Sequence, residues 1–257
     1  LRARHRLAHA AARSRGLAAG VSASRLARVK ALGFDVFGTV VDWRASIIRE
    51  GQALGRAKGL DVDWEAFTDA WRGLYQPALE KVRSGAMPWT RLDDLHRMSL
   101  DRLLEDFKIE GLSASDIEHL NHVWHRLDPW PDSVPGLMRL RKKYVLATLS
   151  NGNIALMVNM AKRAGLPWDA VLGAEPARAY KPQPEAYLRT ADFLGRLPEE
   201  SMLVAAHNSD LAAAARVGFR TAFVRRPTEY GPTQTRDLRA DQSWDAVAES
   251  MIDLADK

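Results

Sequence analysis

Residues 29–39, VKALGFDVFGT, begin as a short apolar run and end in polar residues at a turn. Further continuous apolar runs follow at 144–150 (YVLATLS), 202–206 (MLVAA) and 221–224 (TAFV). Runs without polar alternation are typical of strands that are buried on both faces. Helical patterns separate or follow the later runs, at 154–164, 184–194, 211–217 and 244–255. This alternation predicts a doubly wound parallel α/β sheet.

Between residues 44 and 130 the chain has helical patterns only, at 45–57, 64–83, 92–107 and 115–126. The second of these carries an apolar stripe at spacings of three or four, formed by Phe67, Trp71, Leu74, Ala78 and Val82. We therefore expect an inserted helical cap at 44–130, on a core domain made of 29–43 and 131–257.

The composition is that of a globular protein, with 46% hydrophobic and 27% charged residues in 257. No apolar run approaches the roughly 20 residues that cross a bilayer, so we expect no membrane partner. The chain has no cysteine, which excludes disulfides and thiol nucleophiles and favours a cytoplasmic location.

The net charge of +5 is concentrated at the start of the chain. Residues 1–30 hold seven Arg, one Lys and no acid, so the remainder has 29 basic against 32 acidic residues. An Arg-rich start without acids resembles a transit peptide or an upstream extension of the reading frame, and we favour the extension. We expect residues 1–28 to be a disordered basic extension, and the body of the chain offers no basic surface for nucleic acid.

Ligands of an open parallel sheet bind outside the carboxyl ends of its strands, so polar residues at those ends are functional candidates. Four such groups occur in order along the chain: Asp35 and Thr39 in FDVFGT, Ser150 and Asn151 in TLSNGN, Lys181 and Tyr187 in AYKPQPEAY, and His207, Asn208 and Asp210 in LVAAHNSD.

Each group has a structural alternative when taken alone. Asp35 suits a turn at a strand end, Ser150 suits a helix cap, and Lys181 suits a solvated loop. Asp210 suits the first turn of a helix, where an acid is stabilised by the helix dipole. The occurrence of all four, in order and after or between predicted strands, favours a shared site.

The order and spacing of these groups over residues 29–240 resemble the haloacid dehalogenase superfamily, and FDVFGT resembles its type II 2-haloacid dehalogenases. Phosphatases of the superfamily usually carry a second Asp two residues after the nucleophile, where this chain has Phe37. They also hold magnesium with an acid at the position of Ala206. The resemblance therefore implies a dehalogenase with no metal and no cofactor.

The resemblance also implies catalytic roles. Asp35 displaces halide from C2 and forms an aspartyl ester that water opens, so one difficult step becomes two. Lys181 keeps Asp35 ionised, because an adjacent cation favours the carboxylate. Asp210 anchors Lys181 or positions the water, and Thr39 holds the carboxylate or its loop. Two further residues complete the catalytic candidates, His207 and Asn208.

Substrate and halide are expected to bind around the same strand ends. By the resemblance, Ser150 and the backbone amides of Val36 and Phe37 grip the substrate carboxylate. The segment AWRGLY at 70–75 resembles the one whose arginine receives the departing halide, which implies that Arg72 and Asn151 hold this anion. Two aromatic residues are candidate pocket walls, Trp43 and Tyr187.

The match departs from the family pattern at one strand end. Many type II dehalogenases carry Ser, Asn and Trp where this chain has Ala205, His207 and Ser209. The His207 ring could accept a proton from water, donate to the halide, or narrow the pocket so that fluoride is favoured. The structural alternative is a histidine that caps or packs.

The sequence thus predicts a Rossmann-like doubly wound core with a helical cap. The expected reaction converts small (S)-2-haloalkanoic acids into 2-hydroxy acids and halide, in a homodimer joined through cap helices as in relatives. Two alternatives stay open: a magnesium-dependent phosphatase of the same superfamily, and a nucleic-acid-binding module acting through the basic extension.

Overall fold

The computed structural model of the protein describes residues 26–257. Most of the predicted extension, residues 1–25, lies outside the described residues. The strands are β1 (Ala31–Phe34), β2 (Val41–Asp42), β3 (Asp128–Pro129), β4 (Val145–Ser150), β5 (Ala170–Gly173), β6 (Ser201–Ala205), β7 (Arg220–Val224) and β8 (Ala246–Ala248).

Six of these strands form one sheet in the order β5-β4-β1-β6-β7-β8. Every pair of neighbours in it is parallel, which confirms the predicted doubly wound sheet. The apolar strand β1 lies at its centre, and all four of its residues are buried. Because parallel strands end at one edge, the segments that follow β1, β4 and β6 lie side by side there.

Helices separate the strands and build the cap. The α-helices are α1 (Trp43–Lys58), α2 (Trp64–Arg83), α3 (Leu92–Asp106), α4 (Ala114–Asn121), α5 (Ser133–Leu140), α6 (Ile154–Ala164), α7 (Ala174–Ala177), α8 (Pro184–Phe193), α9 (Asn208–Arg216) and α10 (Met251–Asp256). Short 3-10 turns follow α4 at His122–Arg126 and precede β6 at Pro198–Glu200. Among residues 26–257, no helix combines the length and the apolar character needed to cross a membrane.

The predicted helix at 244–255 is wrong in its first half. Strand β8 occupies 246–248, and helix α10 begins only at Met251. Strand β5 was not predicted at all. Both strands are edges of the sheet and are only partly buried; their apolar runs, AVLG and AVA, are only four and three residues long, and the second lay inside a predicted helix.

The buried face of the cap helix α2 differs from the predicted stripe. Phe67, Trp71, Tyr75 and Leu79 are buried, whereas Leu74, Ala78 and Val82 are only partly buried. Burial therefore follows a row at spacing four, and this row includes a tyrosine whose polarity hid it from an apolar pattern. The Tyr75 hydroxyl oxygen accepts a hydrogen bond from Asn151 Nδ2 at 3.1 Å, so its polar end has a partner although the ring is buried.

The chain enters and leaves the cap region through adjacent strands. β2 and β3 pair antiparallel, with Val41 opposite Pro129 and Asp42 opposite Asp128. Helix α1 begins directly after β2, and the Asp42 carboxylate caps it by accepting from Ala45 N at 3.0 Å. The boundaries at 43/44 and 130/131 stay a prediction.

Candidate active site

The carboxylate of Asp35 lies at the carboxyl end of the central strand and is only 7% exposed. Its Oδ1 accepts from Lys181 Nζ at 2.9 Å. Its Oδ2 accepts from Thr39 Oγ1 at 2.7 Å and from His207 Nδ1 at 3.0 Å. The Thr39 hydroxyl itself accepts from Ala206 N at 2.9 Å, so its own proton is directed at Asp35. Strands β1 and β6 thus bring three predicted residues together.

The charge of Asp35 is held by these donors. Burial alone would favour the neutral acid, but the charge of Lys181 and the hydrogen bond from His207 outweigh it. The pKa of Asp35 therefore lies below its ordinary value. Asp35 is therefore ionised at neutral pH, and the ionised carboxylate is the form that can act as a nucleophile.

Lys181 lies between two carboxylates. Besides Asp35, its Nζ donates a short hydrogen bond to Asp210 Oδ2, and the Tyr187 hydroxyl donates to Asp210 Oδ1 at 2.6 Å. Burial opposes the charged form of Lys181, yet the charges of Asp210 and Asp35 outweigh it and raise the pKa of Lys181 above its ordinary value. The ammonium is 8% exposed, so this pairing is poorly screened by solvent.

The backbone of Lys181 is also fixed. Its amide donates to Asn151 Oδ1 at 2.8 Å, which joins the loop after β4 to the loop before α8. Its carbonyl accepts from Arg83 Nη1 of the cap helix α2 at 2.8 Å. Core and cap segments therefore meet at this lysine.

The His207 ring lies between the carboxylates of Asp35 and Glu229, and Glu229 was not among the predicted site residues. Nδ1 faces Asp35, and Nε2 faces both oxygens of Glu229 at 3.0 and 2.9 Å. Ionised carboxylates only accept hydrogen bonds, so the ring carries both protons. Burial would lower the pKa of His207, but the charge of Glu229 and the bonds to Asp35 raise it well above the ordinary value.

This geometry argues against two of the roles considered for His207. A proton acceptor for water needs a neutral ring, and a donor to halide needs a free N–H. Both ring nitrogens are already engaged by carboxylates. What stays open is an effect of the ring's size on the halide pocket.

Two residues of the loop after β7 were missed. Glu229 has no exposed surface, and Trp43 Nε1 donates to its Oε1 at 3.1 Å. Arg226, 6% exposed, donates to the carbonyl of Thr39 at 2.8 Å and to Asp132 at 2.8 Å. The strand at 221–224 was predicted and the strand-end argument applies to it equally, so this argument would have found both residues had it been extended there.

Arg72 projects from helix α2 toward the same group. Its guanidinium lies over the rings of Tyr75 and Trp43, 4.4 and 5.2 Å from their centroids. Its Nη1 is buried and has no hydrogen-bond partner within residues 26–257. A buried cationic donor without an acceptor is costly, and an anion bound in the cavity would satisfy it.

A cavity of about 1010 Å³ opens in front of Asp35. Predicted residues that line it include Phe37, Trp43, Arg72, Asn151, Tyr187 and His207. Its wall also includes Arg216 and Arg236, which are exposed. Three acids face three cations: Asp35 and Glu229 are buried and Asp210 is partly buried, and the cations are Lys181, His207 and Arg72. The outer arginines add positive charge, which attracts anionic ligands.

Three groups were predicted to bind the substrate carboxylate: the Ser150 side chain and the backbone amides of Val36 and Phe37. Ser150 is fully buried and accepts from Gly152 N at 3.1 Å. The amides of Val36 and Phe37 donate to no backbone group within residues 26–257; Phe37 lines the cavity, whereas Val36 is fully buried.

The structure does not bring Asn208 to this group. Its side chain donates to Asp237 and to the carbonyl of Arg239, and it accepts from Trp244 Nε1 at 2.9 Å. These contacts tie the C-terminal loop to the start of α9.

The site offers a poor set of ligands for magnesium, a cation that binds oxygen donors. The two positions that carry acids in superfamily phosphatases hold Phe37, whose ring packs edge-on against Trp124 at 5.7 Å, and Ala206, 1% exposed. The oxygens of Asp35 already accept from two cationic donors, Lys181 and His207. A divalent cation does not fit among these charges.

One further group within residues 26–257 has donors suited to a metal ion: Asp93, His122 and His125 lie within 4.8 Å of one another. Asp93 is already hydrogen bonded to His125 Nε2 at 3.0 Å and to Asn153 Nδ2 at 2.8 Å. These pairings account for the cluster as a polar contact between the cap and α6.

Comparison with known proteins gives consistent matches. The family model for haloacid dehalogenase-like hydrolases matches residues 29–218. (S)-2-haloacid dehalogenase 4A from Burkholderia cepacia is 28% identical over 239 residues, 88% of this chain and 98% of that protein. Two phosphatases also match, each over 60% of this chain or less.

Two solved structures share 48% sequence identity with the chain. The L-2-haloacid dehalogenase PA0810 superposes with a TM-score of 0.86, over 89% of this chain and 97% of that one. The defluorinating L-2-haloacid dehalogenase Rha0230 superposes with a TM-score of 0.87, over 89% and 94%.

Proposed function

This chain belongs to the haloacid dehalogenase-like hydrolase family, and on that premise we propose that it is a hydrolytic dehalogenase of small (S)-2-haloalkanoic acids. The observation that carries the proposal is the arrangement of Asp35, which is held ionised by Lys181 in a cavity that is also lined by Arg72, whose Nη1 has no hydrogen-bond partner among residues 26–257. Halide displacement requires a carboxylate nucleophile held in position and a hydrogen-bond donor that can bind the leaving halide.

In the first step, Asp35 Oδ1 attacks C2 of the substrate. Oδ1 has one donor, Lys181, whereas Oδ2 has two, so Oδ1 is the less restrained oxygen. The new O–C2 bond forms as the C2–halogen bond breaks, and the halide leaves with the bonding electrons toward Arg72 and Asn151. The free amides of Val36 and Phe37 hold the substrate carboxylate.

In the second step, water adds to Cγ of the Asp35 ester. Asp210, aligned by Tyr187 and Lys181, accepts a proton from this water. The Cγ–Oδ1 bond then breaks, and the leaving alkoxide takes up the proton to give the 2-hydroxy acid. Asp35 is regenerated with an oxygen from water.

The test compares two activities in one preparation. Chloride release from each enantiomer of 2-chloropropionate is measured with saturating chelator, beside phosphate-ester hydrolysis with added magnesium. We expect chloride release from the (S) enantiomer only and no loss on chelation, because no carboxylate occupies position 206. Chelator-sensitive activity that magnesium restores would instead support the phosphatase alternative.

A finer prediction concerns fluoride. The His207 ring lines the cavity where many type II dehalogenases carry Asn, and the similar structure of Rha0230 is described as defluorinating. We therefore expect the protein to release fluoride from fluoroacetate. Replacing His207 with Asn should widen the pocket and reduce single-turnover halide release more from fluoroacetate than from chloroacetate.

Halide release in a single turnover reports the first step, because the halide leaves in that step. The second step is the same for fluoroacetate and chloroacetate, since both form the same ester. Absence of fluoride release by the parent protein would refute the narrow-pocket hypothesis. Equal losses with both substrates would show that the ring's size does not select the halide.

We also propose a cytoplasmic homodimer. Support for the location is the absence of cysteine. The dimer rests on the family resemblance, in which relatives associate through cap helices. Light scattering should give twice the chain mass of 28.6 kDa, and a mass of one chain would refute the dimer.

A further inference from the structure

Glu229 is a fully buried carboxylate whose contacts all lie at the active site. It accepts from His207 Nε2 and from Trp43 Nε1, and it packs against the turn after Asp35. Gly38, in a left-handed conformation with φ of 85°, leaves room for it: a Cβ there would lie 2.1 Å from Glu229 Oε1. Burial of a carboxylate is costly unless it is paired, and this one is paired through His207 with the nucleophile.

The two oxygens of Asp35 differ in what the second step requires of them. Once Oδ1 has formed the ester, Oδ2 is the ester's carbonyl oxygen. Negative charge develops on Oδ2 when water adds to Cγ. Hydrogen-bond donors already directed at such an oxygen stabilise the transition state. Thr39 Oγ1 and His207 Nδ1 lie 2.7 and 3.0 Å from Oδ2 of Asp35.

We propose that Glu229 is a positioning residue for ester hydrolysis, which holds the His207 ring protonated and keeps its Nδ1–H aimed at Oδ2 of Asp35. This inference rests on the proposed function, since it requires the ester.

The need for Glu229 arises from the ester itself. While Asp35 is free, two carboxylates stabilise the imidazolium of His207. Ester formation removes the charge of Asp35, and burial then favours a neutral ring. Glu229 is the remaining carboxylate in contact with His207 within residues 26–257, so it retains the ring proton when the oxyanion forms.

Three further charged residues near His207 also influence its protonation: Lys181, Asp210 and Arg72. Lys181 touches Asp35, Asp210 touches Lys181, and Arg72 acts on Glu229 from the cap. Lys181 and Arg72 are cations and would favour loss of the ring proton, while Asp210 offsets them from farther away. Glu229 therefore decides the pH range in which His207 stays charged after the ester has formed.

The test is a single turnover of chloroacetate by Glu229→Gln, with chloride and the ester followed separately at several pH values. The ester is quantified by the mass of the quenched protein. We expect chloride release close to that of the parent and ester hydrolysis slowed about 10- to 100-fold, since a donor is weakened rather than removed. The alkaline limb of the hydrolysis step should move to lower pH, because His207 loses its proton more easily.

Two variants complete the design. Asp93→Asn removes a carboxylate from another buried histidine, His125, and should change stability without moving the pH profile. Trp43→Phe removes one donor to Glu229, a hydrogen bond that lowers the pKa of this carboxyl. The more basic carboxylate should hold the His207 proton more tightly and move the alkaline limb slightly to higher pH, opposite to Glu229→Gln, which tests the same pairing if Glu229→Gln does not fold.

Two results would overturn the inference. One is equal slowing of both steps with an unmoved pH profile, which would make Glu229 structural only. The other is an Asp93→Asn shift as large as that of Glu229→Gln. If the parent forms no ester while releasing chloride, the proposed function fails first and this inference with it.

Discussion

Replacing Asp35 with Asn is expected to reduce steady-state halide release by on the order of 10⁶-fold, the loss typical of removing a covalent nucleophile. The amide is nearly isosteric but cannot form the aspartyl ester. Its NH₂ group would also face either Lys181 or the pair Thr39 and His207, all of them donors. We therefore expect a folded variant with a lower melting temperature, measured beside the activity.

Isotope labelling tests the same nucleophile without a mutation. A single turnover in heavy-oxygen water should give unlabelled 2-hydroxy acid and place the label in Asp35, because the product takes its oxygen from the carboxylate. Product that is labelled in the first turnover would show direct attack by water. Normal activity of the Asn variant would contradict the covalent mechanism as a whole.

Replacing Lys181 with Met should have the second largest effect, on both activity and stability. Without the ammonium, the buried carboxylate of Asp35 and the partly buried carboxylate of Asp210 have no cation between them. Breaking a buried ion pair by removing one partner costs about 3–5 kcal/mol. Denaturant unfolding at neutral pH should show a loss of this size, with halide release abolished.

The pH dependence of this loss has a defined sign. Lys181 holds the pKa of Asp35 below its ordinary value; without it, burial raises that pKa. The variant can then relieve its buried charge by binding a proton, so its deficit relative to the parent should be largest at neutral pH and shrink as the pH falls. A deficit that is independent of pH would show that lost packing, not charge, is responsible.

The double variant Lys181→Met with Asp210→Asn separates the two effects. It removes one of the two facing carboxylates and should recover part of the stability. Activity should not return, because Lys181 is still missing beside the nucleophile. Recovery of halide release in the double variant would contradict the role assigned to Lys181.

The central sheet could be predicted from sequence because its strands are buried on both faces. β1, β4, β6 and β7 each appear as continuous apolar runs, and parallel pairing then fixes which loops meet. The edge strands β5 and β8 were missed because each has a neighbour on one side only and is only four and three residues long, too short for its apolar residues to be distinguished from a loop or from part of a helix.

The candidate site was predictable to the extent that it follows those strands. Asp35, Thr39, Lys181 and Asp210 follow or lie between predicted strands, and the structure joins them by direct hydrogen bonds. The position of Glu229 after the predicted strand at 221–224 was an available signal, but its residue type was not, since a single glutamate in a loop is normally solvated. Its burial depends on partners from distant segments, His207 and Trp43, which only the folded chain brings together.

Asn208 is the opposite case, a residue that was predicted to be in the site but whose side chain lies outside it. A polar residue beside His207 at a strand end satisfies the same pattern, yet its amide is turned toward Trp244 and Asp237. In a helix, adjacent residues point in different directions, so proximity in sequence to a site residue did not place this side chain in the site.

The β2–β3 pair has a consequence for how such a protein can diversify. Because Val41 pairs with Pro129 and Asp42 with Asp128, the backbone closes on itself before the inserted helices begin. The length and sequence of the segment between them can then drift without disturbing the register of the main sheet. The residues proposed for bond making and hydrolysis, Asp35, Lys181 and Asp210, lie outside this segment, whereas Arg72, proposed to receive the halide, lies inside it. Change in the inserted helices would therefore alter the choice of substrate and leaving group more readily than the attack and hydrolysis steps.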